Sequence, residues 1–98
     1  MADDCPLRNF IVWGNLYAEG ERIGAHRDAD GDIQFLIQLE SPDIGNGGVL
    51  LLGDDTVPYP LAAGDGLIFE ATTVLHQTTP VGANSSRLNI VARYYFEH

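Results

Sequence analysis

An all-β domain is what this sequence predicts, and three observations predict it. Short apolar or alternating runs of five to twelve residues recur along the chain, parted by Gly, Asp, Asn and Pro clusters. No segment carries a 3.6-residue apolar period. The prolines at 42, 58, 60 and 80 fall at run ends or in one short run, as sheet edges tolerate. Evenly spaced short strands of this kind build a sandwich, a barrel or a jelly roll.

Taken in order, "NFIVWGNLYAEG" is apolar and aromatic and closes at Gly20. "RIGAHRD" is a short run that stops at the acidic turn "ADGD", which reverses the chain. "IQFLIQLE" alternates, then meets loop chemistry from Ser41 to Gly48. "GVLLLG", "VPYPL", "LIFEA" and "VLHQTTPV" follow, and "RLNIVARYYFE" is last. That makes about eight antiparallel strand candidates. Gly47 and Gly48, and "GDG" at 64–66, read as turns or bulges leading into strands.

Composition narrows the function classes. The 98 residues make one domain, 1–98, and 45% of them are apolar, as in a globular chain. The net charge is −9: 14 acids face only five basic side chains, all arginine. Such a surface repels phosphate backbones and anionic membranes, so neither nucleic acid nor membrane is an expected partner. No run approaches the roughly 20 apolar residues of a membrane helix. One cysteine, Cys5, forbids an internal disulfide and points to a cytoplasmic setting.

The chemistry starts at His26 and Asp28. In a strand, residues two apart share a face, so these side chains would project together into one space. Imidazole plus carboxylate suits Fe(II), Mn(II) or Zn(II), and a third ligand is then needed. Of the three histidines, His98 ends the chain, and His76 stands in the β-forming run "TVLHQTTPV". By itself His76 reads as a packed barrel-wall residue. Its place in the order of motifs gives it another reading.

That order is His-x-Asp, about fifty residues containing Gly-Gly, a distal His, and Arg87 eleven residues on. With "YAEGERIGAHRD", "FLIQLE", "GNGGVLLL", "AAGDGLIF", "LHQTTPV" and "SSRLN", the chain resembles the Fe(II)- and 2-oxoglutarate-dependent oxygenases, in their prolyl-hydroxylase-like branch. The resemblance runs from about Phe10 to Phe96. It implies a double-stranded β-helix, a cupin-like jelly roll of eight strands.

The resemblance further implies Fe(II) held by His26, Asp28 and His76, with 2-oxoglutarate and O2 as cosubstrates and ascorbate as a supporting reductant. It places Arg87 on the far carboxylate of 2-oxoglutarate, where a planar guanidinium pairs an anion in two-point fashion. Tyr17, nine residues before His26, would add its hydroxyl, and Gln38 and Leu50 would line the same pocket. Asn89 shares a face with Arg87, and Trp13 and Asn15 share one with Tyr17. Arg93 and Arg27 are candidate substrate contacts, a salt bridge being the alternative for Arg93. The acidic ligand, Asp28, is present, so hydroxylation is favoured over halogenation. The expected substrate is a small molecule or an amino-acid or peptide side chain.

In that family N-terminal helices buttress one sheet, whereas this chain starts almost at its first core strand. The expectation is a catalytic core, complete or part of a longer enzyme. Its uncovered apolar sheet face would favour a homodimer. Two other readings stand beside the oxygenase. One is a non-catalytic jelly roll that binds metal or a partner. The other is a cupin-like metalloenzyme, for which the usual His-x-His is lacking.

Overall fold

The computed structural model describes residues 7–97; Cys5 and His98 lie outside them. Seven strands form, β1 (Leu7–Tyr17), β2 (Ile33–Glu40), β3 (Leu50–Leu52), β4 (Val57–Tyr59), β5 (Gly66–Phe69), β6 (His76–Thr78) and β7 (Arg87–Phe96). There is no helix among the described residues, and so none long and apolar enough to cross a membrane. All pairings are antiparallel. One sheet has the order β1-β7-β2-β5 and the other β4-β3-β6.

Seven strands rather than eight form because "RIGAHRD" makes only an isolated bridge, His26 to His76. It still runs beside β6. His26 and His76 exchange both backbone hydrogen bonds, at 3.0 and 2.9 Å, and Ile23 O accepts from Thr78 N at 3.0 Å. Three steps along this segment therefore face two steps along β6. Gly24 and Ala25 together oppose Gln77, a bulge that interrupts the ladder. Counting this segment, the second sheet has a fourth member, and the jelly-roll architecture is complete. Pro58 falls in β4, an edge strand, where its missing N–H costs no ladder bond.

The larger sheet carries its polar residues inward. Along β7, Arg87 and Asn89 are buried with Val91; across the register stand Tyr17, Asn15 and Trp13 on β1, and Gln38, Leu36 and Gln34 on β2. The largest fully buried side chains are Gln38 and Asn89, not aliphatics. The opposite face is apolar. Val12, Ala92, Phe35 and Ile68 align in one row across all four strands, and Phe10, Tyr94 and Ile33 in another. Val12 and Ile68 are more than half exposed. An inner face that mixes Arg87, Asn89, Gln34 and Gln38 with Trp13, Leu36 and Val91 encloses more than a hydrocarbon core.

Candidate metal centre and cosubstrate pocket

His26, Asp28 and His76 come together at one end of the interior. Their ligand atoms lie within 4.8 Å of one another. Asp28 Oδ1 is 3.2 Å from His26 Nε2 and 3.1 Å from His76 Nε2. The bulge brings this about, since it lets His26 keep its bridge to His76 while the chain turns. Asp28 N then donates to Ala71 O at 2.9 Å.

The hydrogen bonds of the two imidazoles fix what the cluster can hold. His26 Nδ1 is 2.8 Å from Gly24 O, and His76 Nδ1 is 2.9 Å from Val74 O. A carbonyl only accepts, so each Nδ1 carries the proton. In the neutral ring Nε2 then bears a lone pair, and both lone pairs point at a carboxylate oxygen. Three electron-rich donors facing one small space fit a cation between them, and the backbone contacts orient the ligands as they do in metal sites. Two imidazoles and one carboxylate are a donor set suited to Fe(II).

The cluster opens into a cavity of about 160 Å³ whose walls include Tyr17, Leu50, Arg87 and Asn89. That is many times the roughly 10–15 Å³ that one water needs, so the cavity admits a small organic anion. Arg87 is 2% exposed, yet among the described residues no carboxylate pairs with it. Burial pulls its pKa below the ordinary arginine value, and Tyr17 offsets only part of that. Its guanidinium lies 5.2 Å from the Tyr17 ring centre. With the Asn89 amide turned oxygen-first, that oxygen is 3.2 Å from both Arg87 terminal nitrogens. Burial also raises the Tyr17 pKa, more than Arg87 lowers it, so the phenol keeps its proton.

The other expected site residues divide between the cavity wall and positions outside it. Gln38 is buried beyond the cavity wall; its Nε2 donates to Ser41 Oγ at 3.0 Å, and its Oε1 has no hydrogen-bond partner. Arg27 points away from the cavity: Nε donates to Thr73 O at 3.0 Å, and Nη2 is 3.3 Å from Asp54. Arg93 lines the cavity, but its Nη2 is 2.8 Å from Asp28 Oδ2. Asn15 touches Asn89 at 3.1 Å, and Trp13 lies under the Arg93 guanidinium, centroid to Cζ 4.9 Å. Sequence reasoning missed Gln34, which is buried in the cavity wall opposite Arg93. Its alternation with Leu36 and Gln38 was the available signal.

Comparison with known proteins gives this geometry a lineage. No family model matches the chain. A PKHD-type hydroxylase of Rhizorhabdus wittichii is 33% identical over 90 residues, covering 78% of this chain and 39% of that protein. A Pseudomonas putida prolyl-4-hydroxylase superposes with a TM-score of 0.74 at 25% identity, over 90% of this chain and 53% of that one. The chain is a relative of the prolyl-hydroxylase-like 2-oxoglutarate–Fe(II) oxygenases. It spans about 39% of the PKHD-type hydroxylase and 53% of the prolyl-4-hydroxylase, and so matches part of each of these oxygenases. A 2-oxoglutarate–Fe(II) oxygenase-family protein of Burkholderia pseudomallei shares the fold at a TM-score of 0.69, with 24% identity over 87% of this chain and 43% of that one. Cupin domains share it too, as a double-stranded β-helix should.

Proposed function

We propose that the chain is the catalytic core of an Fe(II)- and 2-oxoglutarate-dependent dioxygenase that hydroxylates an unactivated C–H bond. The observation that carries this reading is Arg87. A buried guanidinium without a carboxylate is costly unless a ligand supplies the anion. Here it shares one cavity with a three-donor metal cluster. A molecule with one end for the metal and a carboxylate at the other satisfies both, and 2-oxoglutarate is such a molecule.

In this reading His26, Asp28 and His76 would hold the iron, and the carbonyl-bound Nδ1 protons of the two histidines keep their rings from turning. Arg87 grips the far carboxylate, Asn89 aligns the guanidinium, and Tyr17 donates its retained phenolic proton. Leu50 packs against the cosubstrate stem. When bound, iron and 2-oxoglutarate supply the oxidising chemistry, in which O2 is consumed, succinate and CO2 leave, and the substrate gains one oxygen atom. The presence of Asp28 as an acidic ligand supports hydroxylation, as does the similarity to a PKHD-type hydroxylase and a prolyl-4-hydroxylase. The substrate class is a small molecule or an amino-acid or peptide side chain, and the compartment is the cytoplasm.

Anaerobic addition of Fe(II) and 2-oxoglutarate tests the reading. A weak visible charge-transfer band is expected, along with 2-oxoglutarate-dependent succinate release once O2 is admitted. No band in a folded sample refutes the reading. A metal complex that forms without binding 2-oxoglutarate selects the non-catalytic jelly roll instead.

A further inference from the structure

We propose that Arg93 is a positioning residue for the metal centre: it occupies the second oxygen of Asp28 and so keeps that carboxylate a one-oxygen ligand. The proposal rests on His26, Asp28 and His76 being the metal ligands. The two Asp28 oxygens have separate surroundings. Oδ1 faces both imidazole nitrogens, at 3.1 and 3.2 Å, whereas Oδ2 is 2.8 Å from Arg93 Nη2. A carboxylate binds a cation through one oxygen or through both. Binding through both would fill a coordination position that the cosubstrate or O2 needs.

Arg93 is itself held on every side. Nη1 is 3.3 Å from Asp30 Oδ1, Nε donates to Gln34 Oε1 at 3.4 Å, and the guanidinium lies 4.9 Å from the Trp13 ring centre. Its stem crosses Gly31 so closely that a Cβ there would sit 2.6 Å from both Cγ and Cδ. The turn at 29–32 is therefore a cradle for this side chain and more than a chain reversal. The contact with Asp28 is shielded from water, the carboxylate side chain being 7% exposed, so it is screened far less than a surface pair. The Asp30 contact, with its carboxylate 67% exposed, contributes little by comparison. The two terminal nitrogens of the guanidinium reach the two acids separately, a geometry that the single nitrogen of a lysine does not reproduce.

The test uses Co(II) alone, whose visible spectrum reports the number and kind of its ligands. Arg93→Met is expected to change the spectrum and to weaken Co(II) binding about 10- to 100-fold, the usual cost of losing a group that orients a ligand. Arg93→Lys is expected to recover part of the affinity but not the spectrum. Asp30→Asn should stay within about threefold of the unsubstituted chain. An unchanged spectrum in folded Arg93→Met overturns the proposal whatever the affinity. If Arg93→Met does not fold, an unchanged spectrum and affinity in Arg93→Lys overturn it. No Co(II) uptake by the unsubstituted chain removes the metal reading itself, and this proposal with it.

Discussion

His76 Nε2 lies 3.1 Å from Asp28 Oδ1 across 48 residues of chain, and the backbone bridge between His26 and His76 sets that distance. Asp28→Ala removes the one anionic donor of the cluster. Metal affinity is expected to fall more than about 100-fold, since a ligand costs more than the group that orients it. Equilibrium dialysis against Fe(II) under nitrogen checks this, with circular dichroism confirming the fold.

Arg87→Met should leave metal binding intact and remove the effect of 2-oxoglutarate. Because burial depresses the Arg87 pKa, the charged guanidinium is less comfortable in the fold than in water. The sign follows: at every pH below that depressed value the charge is present and its full cost applies, and the cost diminishes only as pH climbs from there toward the unfolded value. The variant is relieved of this cost but loses the contacts to Asn89 and Tyr17, so the response to 2-oxoglutarate is the readout. A hundredfold excess of 2-oxoglutarate over its Kd stabilises the unsubstituted chain by about 2.7 kcal/mol and leaves the variant unmoved. Thermal melts with and without 2-oxoglutarate decide the matter.

Tyr17→Phe deletes one hydroxyl and should weaken 2-oxoglutarate binding about tenfold, as for a hydrogen bond to a charged group. The Tyr17 pKa is raised above 10, so the phenol is protonated throughout the neutral range. Affinity in the unsubstituted chain should not sense Tyr17 between pH 6 and 9. It should fall once pH passes the raised value, when a phenolate would compete for Arg87. Phenolate absorbance followed alongside calorimetric titration tests both halves.

Gly47→Ala should destabilise the fold by about 2–4 kcal/mol. The residue has φ +77°, and a Cβ would lie 1.9 Å from the Pro80 carbonyl oxygen. Gly24→Ala is the control: nothing lies within 4 Å of its added Cβ. Denaturant midpoints should separate the two variants clearly.

What the sequence made legible was what alternation and motif order carry. The run "IQFLIQLE" is β2 residue for residue, and "RLNIVARYYFE" contains β7 whole. The clustering of His26, Asp28 and His76 was readable from His-x-Asp and a distant strand histidine. The bulge at Gly24–Ala25 was not legible, because it depends on which residues of β6 lie opposite. Nor was the direction of Arg27, which Thr73 and Asp54 draw to another loop. The Arg93–Asp28 pair spans 65 residues and only the register brings it together. Arg93 lies six residues after Arg87 and shares its parity, but parity names no partner.

The arrangement of the larger sheet turns an ordinary rule around. Usually a strand that slips by one residue loses hydrophobic burial, and that loss holds the register. Here a slip of β1 would swing Val12 and Leu16 inward and leave Asn15 and Tyr17 outside. Aliphatic side chains would enter as Trp13 leaves, so apolar burial alone does not fix the register. What penalises the slip is the stranding of Arg87 and Asn89 without their β1 neighbours. Arg87 and Asn89 thus also act as alignment pins, and their removal should blunt the accuracy of strand pairing as well as the proposed binding of 2-oxoglutarate.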